Sequence, residues 1–189
     1  MRNAVIIAAT LAVLVVAGAA YLEGGSGGST GVAEAGGANG NALLRDVNGS
    51  PVGTAKITEE DGQVLVRVNA HDLAPGYHGF HIHSVGVCEA PFTSAGGHFN
   101  PTGAGHPGHA GDMPMLLINA DGTGEARFKT DRFSLSDLFD ADGSAIIVHA
   151  GVDNYANIPT RYAPGGPDGT TLGTGDAGSR AACAVVAGG

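Results

Sequence analysis

Beyond residue 42 the chain runs in short stretches of alternating apolar and polar residues, broken by turn dipeptides. Leu43-Leu44-Arg45-Asp46-Val47 runs into Asn48-Gly49, a strong hairpin signal. Val52 to Thr58 leads to Asp61-Gly62, after which Val64, Val66 and Val68 recur at every second position. Successive side chains of a strand point to opposite faces, so this period predicts strands. Gly79–Ser84 reads as a fourth strand, with Phe80 and Ile82 facing one way and His81 and His83 the other. Met115–Asn119, Glu125–Thr130, Ile146–His149 and Ala182–Val186 bring the count to eight. Phe133–Phe139 reads as a connection with a helical turn. Two Gly/Pro-rich stretches, Val85–Met113 and Ala150–Ser179, read as long loops. The pattern predicts an all-β domain, an eight-stranded antiparallel barrel or sandwich with two long loops.

The first 41 residues break this pattern. An uncharged apolar run from Ala4 to Leu22 follows Arg2 and carries Ala17-Gly18-Ala19, which fits a small-residue cleavage site. The run is long for a signal-peptide core and just long enough to cross a bilayer as a helix. Residues 1–23 therefore read as a cleaved signal peptide or an uncleaved membrane anchor. Residues 24–41 are mostly Gly, Ser and Ala with one Glu. They offer too little apolar surface to fold and read as a tether. The domain occupies 42–189. Either reading of the N-terminus exports it, to a periplasm-like compartment or outside the cell, with a membrane contact only through residues 4–22 if they are kept.

Composition narrows the function. There are 33 Gly, only 14% of residues are charged, and the net charge is −9, with nine Lys and Arg scattered along the chain. Nothing resembles a basic footprint, which argues against nucleic acid as a partner. The two cysteines, Cys88 and Cys183, would be free thiols in a cytosolic protein and one disulfide in an exported one.

The chemistry lies in the histidines. His81-x-His83 puts two imidazoles on one face of one strand, an arrangement suited to copper(II). His98, His106, His109 and Asp112 follow in a loop, three imidazoles and a carboxylate, which make a tetrahedral zinc set. His149, ending a later strand, is placed to complete the copper set.

The segments GFHIH (79–83), SAGGHFNP (94–101), HAGD (109–112), IVHAG (147–151) and GDAGSRAACAVV (175–186) resemble, in order, the signatures of copper/zinc superoxide dismutases. The bacterial type is the nearer match in its loops. The likeness runs over residues 42 to 189 and implies a Greek-key barrel, copper and zinc as cofactors, and dismutation of superoxide to oxygen and hydrogen peroxide. By this resemblance His81, His83, His98 and His149 bind copper, and His98, His106, His109 and Asp112 bind zinc. His98 bridges the two metals and exchanges a proton with the product. Asp153 is implied as the carboxylate that orients one ligand of each metal, Arg180 as the guide for the anion, and Thr174 as the residue across the channel from it. The resemblance pairs Cys88 with Cys183 and makes His78 structural, while His71 matches nothing functional. The alternative is a non-catalytic copper-carrier or storage domain of the same fold. The loops beside the channel contain no lysine, so steering is expected to be weak or to fall to Arg161. Monomer and homodimer both stay open.

Overall fold

The computed structural model describes residues 41–186; the expected signal or anchor segment and nearly all of the expected tether lie outside the described residues. Within them, no helix is long and apolar enough to cross a membrane.

Nine strands form, most of them where alternation is strongest. They are β1 (Asn41–Asp46), β2 (Pro51–Glu60), β3 (Gln63–Ala70), β4 (Gly76–His78), β5 (Phe80–His83), β6 (Leu116–Ile118), β7 (Gly124–Thr130), β8 (Ser144–His149) and β9 (Arg180–Val186). Seven make an antiparallel sheet in the order β5-β8-β9-β1-β2-β3-β7, and β4 pairs separately with β6. Since β6 also packs beside β7, and β4 runs into β5 through one residue, the sheet curls back on itself as a barrel. The ninth element, β4, is the addition to the expected eight. It begins at Gly76 and exposes Tyr77, so it has almost no alternation to detect. Gly79 is where the chain changes partners from β6 to β8, and a side chain there would strike the Ala177 methyl.

Alternation also decides what is inside. Leu44, Val66, Phe80, Ile82, Leu116, Ile118, Ile146, Val148 and Ala182 fill the barrel. The opposite face of β5-β8-β9 carries His81 and His83, paired with Ile147 and Ala145, and Cys183, paired with Ile147 from the other side. A second apolar cluster forms there: Ala145, Ile147, Cys183 and Cys88 meet Phe92 and Ala95 of the first long loop. The Cys88–Cys183 disulfide, with Cα atoms 5.8 Å apart, fastens that loop to β9. The expected helical turn is a short 3-10 helix at Leu135–Leu138, capped by Ser134 and Asp137. The second loop holds the one α-helix among the described residues, α1 (Gly169–Thr174), whose N-cap Asp168 accepts from Thr171 N–H.

Candidate metal centre

The structure gathers all seven predicted ligands, each buried. His81 and His83 come from β5 and His149 from the end of the neighbouring β8. The first long loop docks on the free edge of β5 by two single bridges, His83↔His98 and His81↔Asp112. There Phe99 N–H donates to Ile82 O at 2.8 Å, and Ile82 N–H donates to Gly111 O at 2.9 Å. His98 and Asp112 are thereby set beside the strand histidines.

The outer hydrogen bonds decide which nitrogen of each ring faces inward. His83 Nδ1–H donates to Gly96 O at 2.9 Å, and His149 Nδ1–H donates to Gly178 O at 3.1 Å. Their Nε2 atoms, left as lone pairs, face each other at 3.4 Å. His81 Nε2–H donates to Asp153 Oδ2 at 2.7 Å, and His106 Nε2–H donates to Asp153 Oδ1 at 2.8 Å. One carboxylate thus turns the Nδ1 atoms of two rings inward. His98 faces both sides of the cluster. Its Nδ1 lies 2.7 Å from Asp112 Oδ1 and 3.2 Å from His109 Nδ1, while its Nε2 is buried on the other side.

One ligand atom each from His81, His83, His98 and His149 lie within 4.8 Å of one another, as do those of His81, His98, His106 and Asp112. Distance alone would put His81 in both groups. His109 belongs with the second, because its Nδ1 sits 3.1 Å from Asp112 Oδ1 and Asp112 Oδ2 accepts from its main-chain N–H at 3.0 Å.

This cluster passes a direct test for metal. His81 Nδ1, His98 Nε2 and His106 Nδ1 are buried without a hydrogen-bond partner, although His106 Nδ1 lies 3.0 Å from Asp112 Oδ2. Buried polar atoms are normally satisfied, and facing lone pairs repel. A cation between them removes both penalties. The rings are also held in the ligand form. Burial drives His83 down to about 2 and His149 to about 3, with neighbouring rings adding to the shift of each. Burial likewise lowers His98, against the pull of Asp112. Burial would raise Asp112, but hydrogen bonding to His98 and the charges of the nearby rings hold it at about 2. Asp153 stays low in the same way: burial opposes, and His81, Tyr155 N–H and His106 prevail.

A cleft of about 390 Å³ opens over the first group, lined by His83, His98, His149, Thr174, Asp176 and Arg180 among others. Arg180 reaches it through a β-bulge. Val148 pairs with Ala182 but His149 pairs with Arg180, so Ala181 is extra and Arg180 is turned to the histidine face. Its guanidinium donates to Phe92 O and, at 2.5 Å, to Gly96 O, the carbonyl that also orients His83. Thr174 is exposed at the end of α1, its Oγ1 donating to Thr170 O at 2.8 Å. Arg161 does not line the cleft; its guanidinium lies over the Tyr162 ring at 4.7 Å. His78 is buried between the carbonyls of His149 and Ala74, 2.7 Å from each, and His71 is exposed against Asp72.

Sequence reasoning missed the parts with no side-chain signature, namely the Gly96 and Gly178 carbonyls and Gly175. Gly175 has φ +58°, and a Cβ there would collide with Asp153 Oδ1 and His106 Nε2. It also missed Tyr155, which stacks on His106 with rings 8° from parallel and accepts from Met115 N–H at 3.0 Å. A conspicuous Asp-Asn-Tyr run after His149 is the only trace of that role.

A curled antiparallel barrel whose outer face carries two overlapping groups of buried ligands defines a metal-binding β-barrel protein. The sequence profile of the copper/zinc superoxide dismutase (SODC) family matches residues 51–186. The superoxide dismutase (Cu-Zn) of Mycolicibacterium paratuberculosis is 43% identical over 166 residues, covering 77% of this chain and 73% of that protein. The solved copper/zinc superoxide dismutase of Brucella abortus superposes with a TM-score of 0.61 at 32% identity, over 77% of this chain and 97% of that one. A superoxide dismutase-like protein from Bacillus subtilis gives 0.63 at 32% identity, over 77% and 97%. The chain belongs to the copper/zinc superoxide dismutase family. Its activity is that of an oxidoreductase acting on superoxide, and its cofactors are copper and zinc.

Proposed function

We propose that His81, His83, His98 and His149 hold the copper, that His98, His106, His109 and Asp112 hold the zinc, and that the enzyme works outside the cytoplasm. The observation that carries this reading is His98, with Nδ1 directed at Asp112 and His109 and a buried, unpartnered Nε2 on the other side. When bound, copper supplies a one-electron couple, and zinc fixes the loop ligands without changing oxidation state.

The remaining work falls to the chain. Superoxide offers only its charge for recognition. Arg180, committed through two carbonyls but still lining the cleft, gives it a charge-assisted hydrogen bond. His98 Nε2 is the ring atom placed to carry a proton towards the product. Asp153 holds His81 and His106 in one tautomer, which links the two metal sets through a carboxylate as well as through the shared ring. Thr174 limits the cleft opposite Arg180. The acidic Asp176 at the rim and the distance of Arg161 from the lining make long-range steering weak.

Export rests on the N-terminal apolar run and on the disulfide, which suits an oxidising compartment. Where residues 4–22 are kept as an anchor, residues 24–41 serve as the spacer between the membrane and the domain. The test is a dismutation assay on the metal-reconstituted protein, with metal content measured on the same sample. Copper-dependent activity that disappears in His149→Ala, with one copper and one zinc per chain, is the expected result. Full metal content without activity would replace this reading with the carrier alternative.

A further inference from the structure

The proposed zinc donors His106, His109 and Asp112 lie within seven consecutive residues of loop. The sheet holds this segment only near its end, where Gly111 meets Ile82. A second fastening comes from outside the loop. Arg132, just beyond β7, donates from Nη1 to the main-chain carbonyl of Asp112 at 2.7 Å and from Nη2 to that of Pro107 at 2.9 Å. Its own main-chain N–H donates to Thr130 Oγ1 at 3.2 Å, which fixes where the side chain starts. The next residue, Phe133, is buried and packs edge-on against Phe99, with centroids 6.2 Å apart. Phe99 adjoins the bridging His98. Residues 132–133 therefore brace the loop twice, by a guanidinium fork on one side and an aromatic contact on the other.

The two accepting carbonyls are well placed to shape the donor set. Pro107 lies between His106 and His109, and Asp112 is itself a donor. A planar fork that spans both fixes the spacing of the ends of the segment. Ordering a loop segment costs conformational entropy, and a brace that acts in the metal-free protein removes part of that cost from zinc binding.

We propose that Arg132 is a positioning residue for the zinc half of the centre, setting zinc affinity without touching the ion. This rests on the zinc assignment given above. The experiment is chelator competition for zinc on the full chain and on its R132Q, R132K, K129Q and H109A variants. Cobalt(II) is used alongside as a spectroscopic reporter of donor geometry. Zinc binding is expected to weaken about 10–100-fold in R132Q, the range seen when a partner of a metal ligand is lost. R132K, a point charge without the fork, is expected to recover only part of it. K129Q removes a cation from β7 that is engaged with Asp61 and Glu60, and is expected to bind zinc as the unchanged chain does. The cobalt spectrum of R132Q should lose intensity or shift. Zinc affinity in R132Q within about twofold of the unchanged chain, or an equal loss in K129Q, overturns the proposal. Undiminished zinc binding in H109A is a different failure: it removes the zinc assignment, and this proposal falls with it.

Discussion

His81, His83 and His149 project from β5 and β8, whose ladder runs without interruption from Phe80↔Val148 to His83↔Ala145. His106, His109 and Asp112 stand on a loop that meets β5 through single bridges and is otherwise held by isolated bonds, from His106 N–H to Leu172 O and from side chains. The strand half inherits its geometry from a backbone ladder with a filled barrel beneath it. The loop half depends on a few isolated hydrogen bonds, and those made by side chains can each be removed by one substitution. The same cluster therefore joins a group that exists once the sheet has folded to a group that exists only when its braces are in place. Perturbations of the sheet and of the braces should separate the two.

The largest effect should come from the disulfide, which ties the first loop to β9 beside Arg180. Replacing Cys88 and Cys183 together by Ser is expected to lower stability by about 2–5 kcal/mol, read from urea unfolding. A loss below about 1 kcal/mol would mean that the Phe92–Ala95–Ile147 cluster holds the loop unaided.

Acid should strike the strand half of the metal-free protein first. The rings of His83 and His149 fall to about 2 and about 3 when folded, from 6.5. The unfolded chain binds those protons first, so the stability is present above 6.5 and is lost as pH falls below it. The slope approaches about 1.4 kcal/mol per pH unit for each ring. Asp112, held at about 2 from 3.8, adds its loss only below 3.8. Urea midpoints of the metal-free protein at about pH 7.5 and about pH 5 measure the first phase, and equal midpoints would show that these rings are not held neutral.

Asp153→Asn attacks the bond between the halves. An amide accepts through one oxygen and presents N–H to the other ring, so one of His81 and His106 loses its acceptor. Affinity for at least one metal should fall about 10–100-fold in competition titrations. If both fall equally, the two halves are coupled more tightly than their separate construction suggests. Arg180→Ala should then lower kcat/KM about tenfold and flatten its dependence on salt, with metal content unchanged. Smallest is Tyr155→Phe, which removes the acceptor of Met115 N–H and should cost about 1 kcal/mol in stability, with the stacking on His106 retained.

The strand half was the more legible in the sequence, for the same reason that it is the more rigid. Period two puts His81 and His83 on one face and Phe80 and Ile82 on the other, and the ligand cluster and the barrel core divide in the same way. The loop residues His106, His109 and Asp112 have no period. They were found by their chemistry and by resemblance to the family. The braces Arg132 and Tyr155 were not found, because they bind main-chain groups and a carbonyl looks the same at every position. β4 escaped because three residues beginning at Gly76 carry no alternation. Arg161 stands in the loop where a steering charge is expected, but loop membership does not fix direction, and its guanidinium lies over Tyr162.

The extra residue in β9 makes the placement of Arg180 a matter of counting. In an unbroken strand, residues 180 and 182 share a face, and Ala182 is in the barrel core. The guide charge reaches the solvent side because Ala181 shifts the parity of the chain between them. If the strand ran straight with Ala181 kept, Ala181 would take the place opposite His149 and the guanidinium would be aimed at hydrocarbon, leaving the anion path without its cation. Conversely, a sheet of this kind without the extra residue would carry its guide at the position directly before the inward alanine, because that position then stands opposite His149.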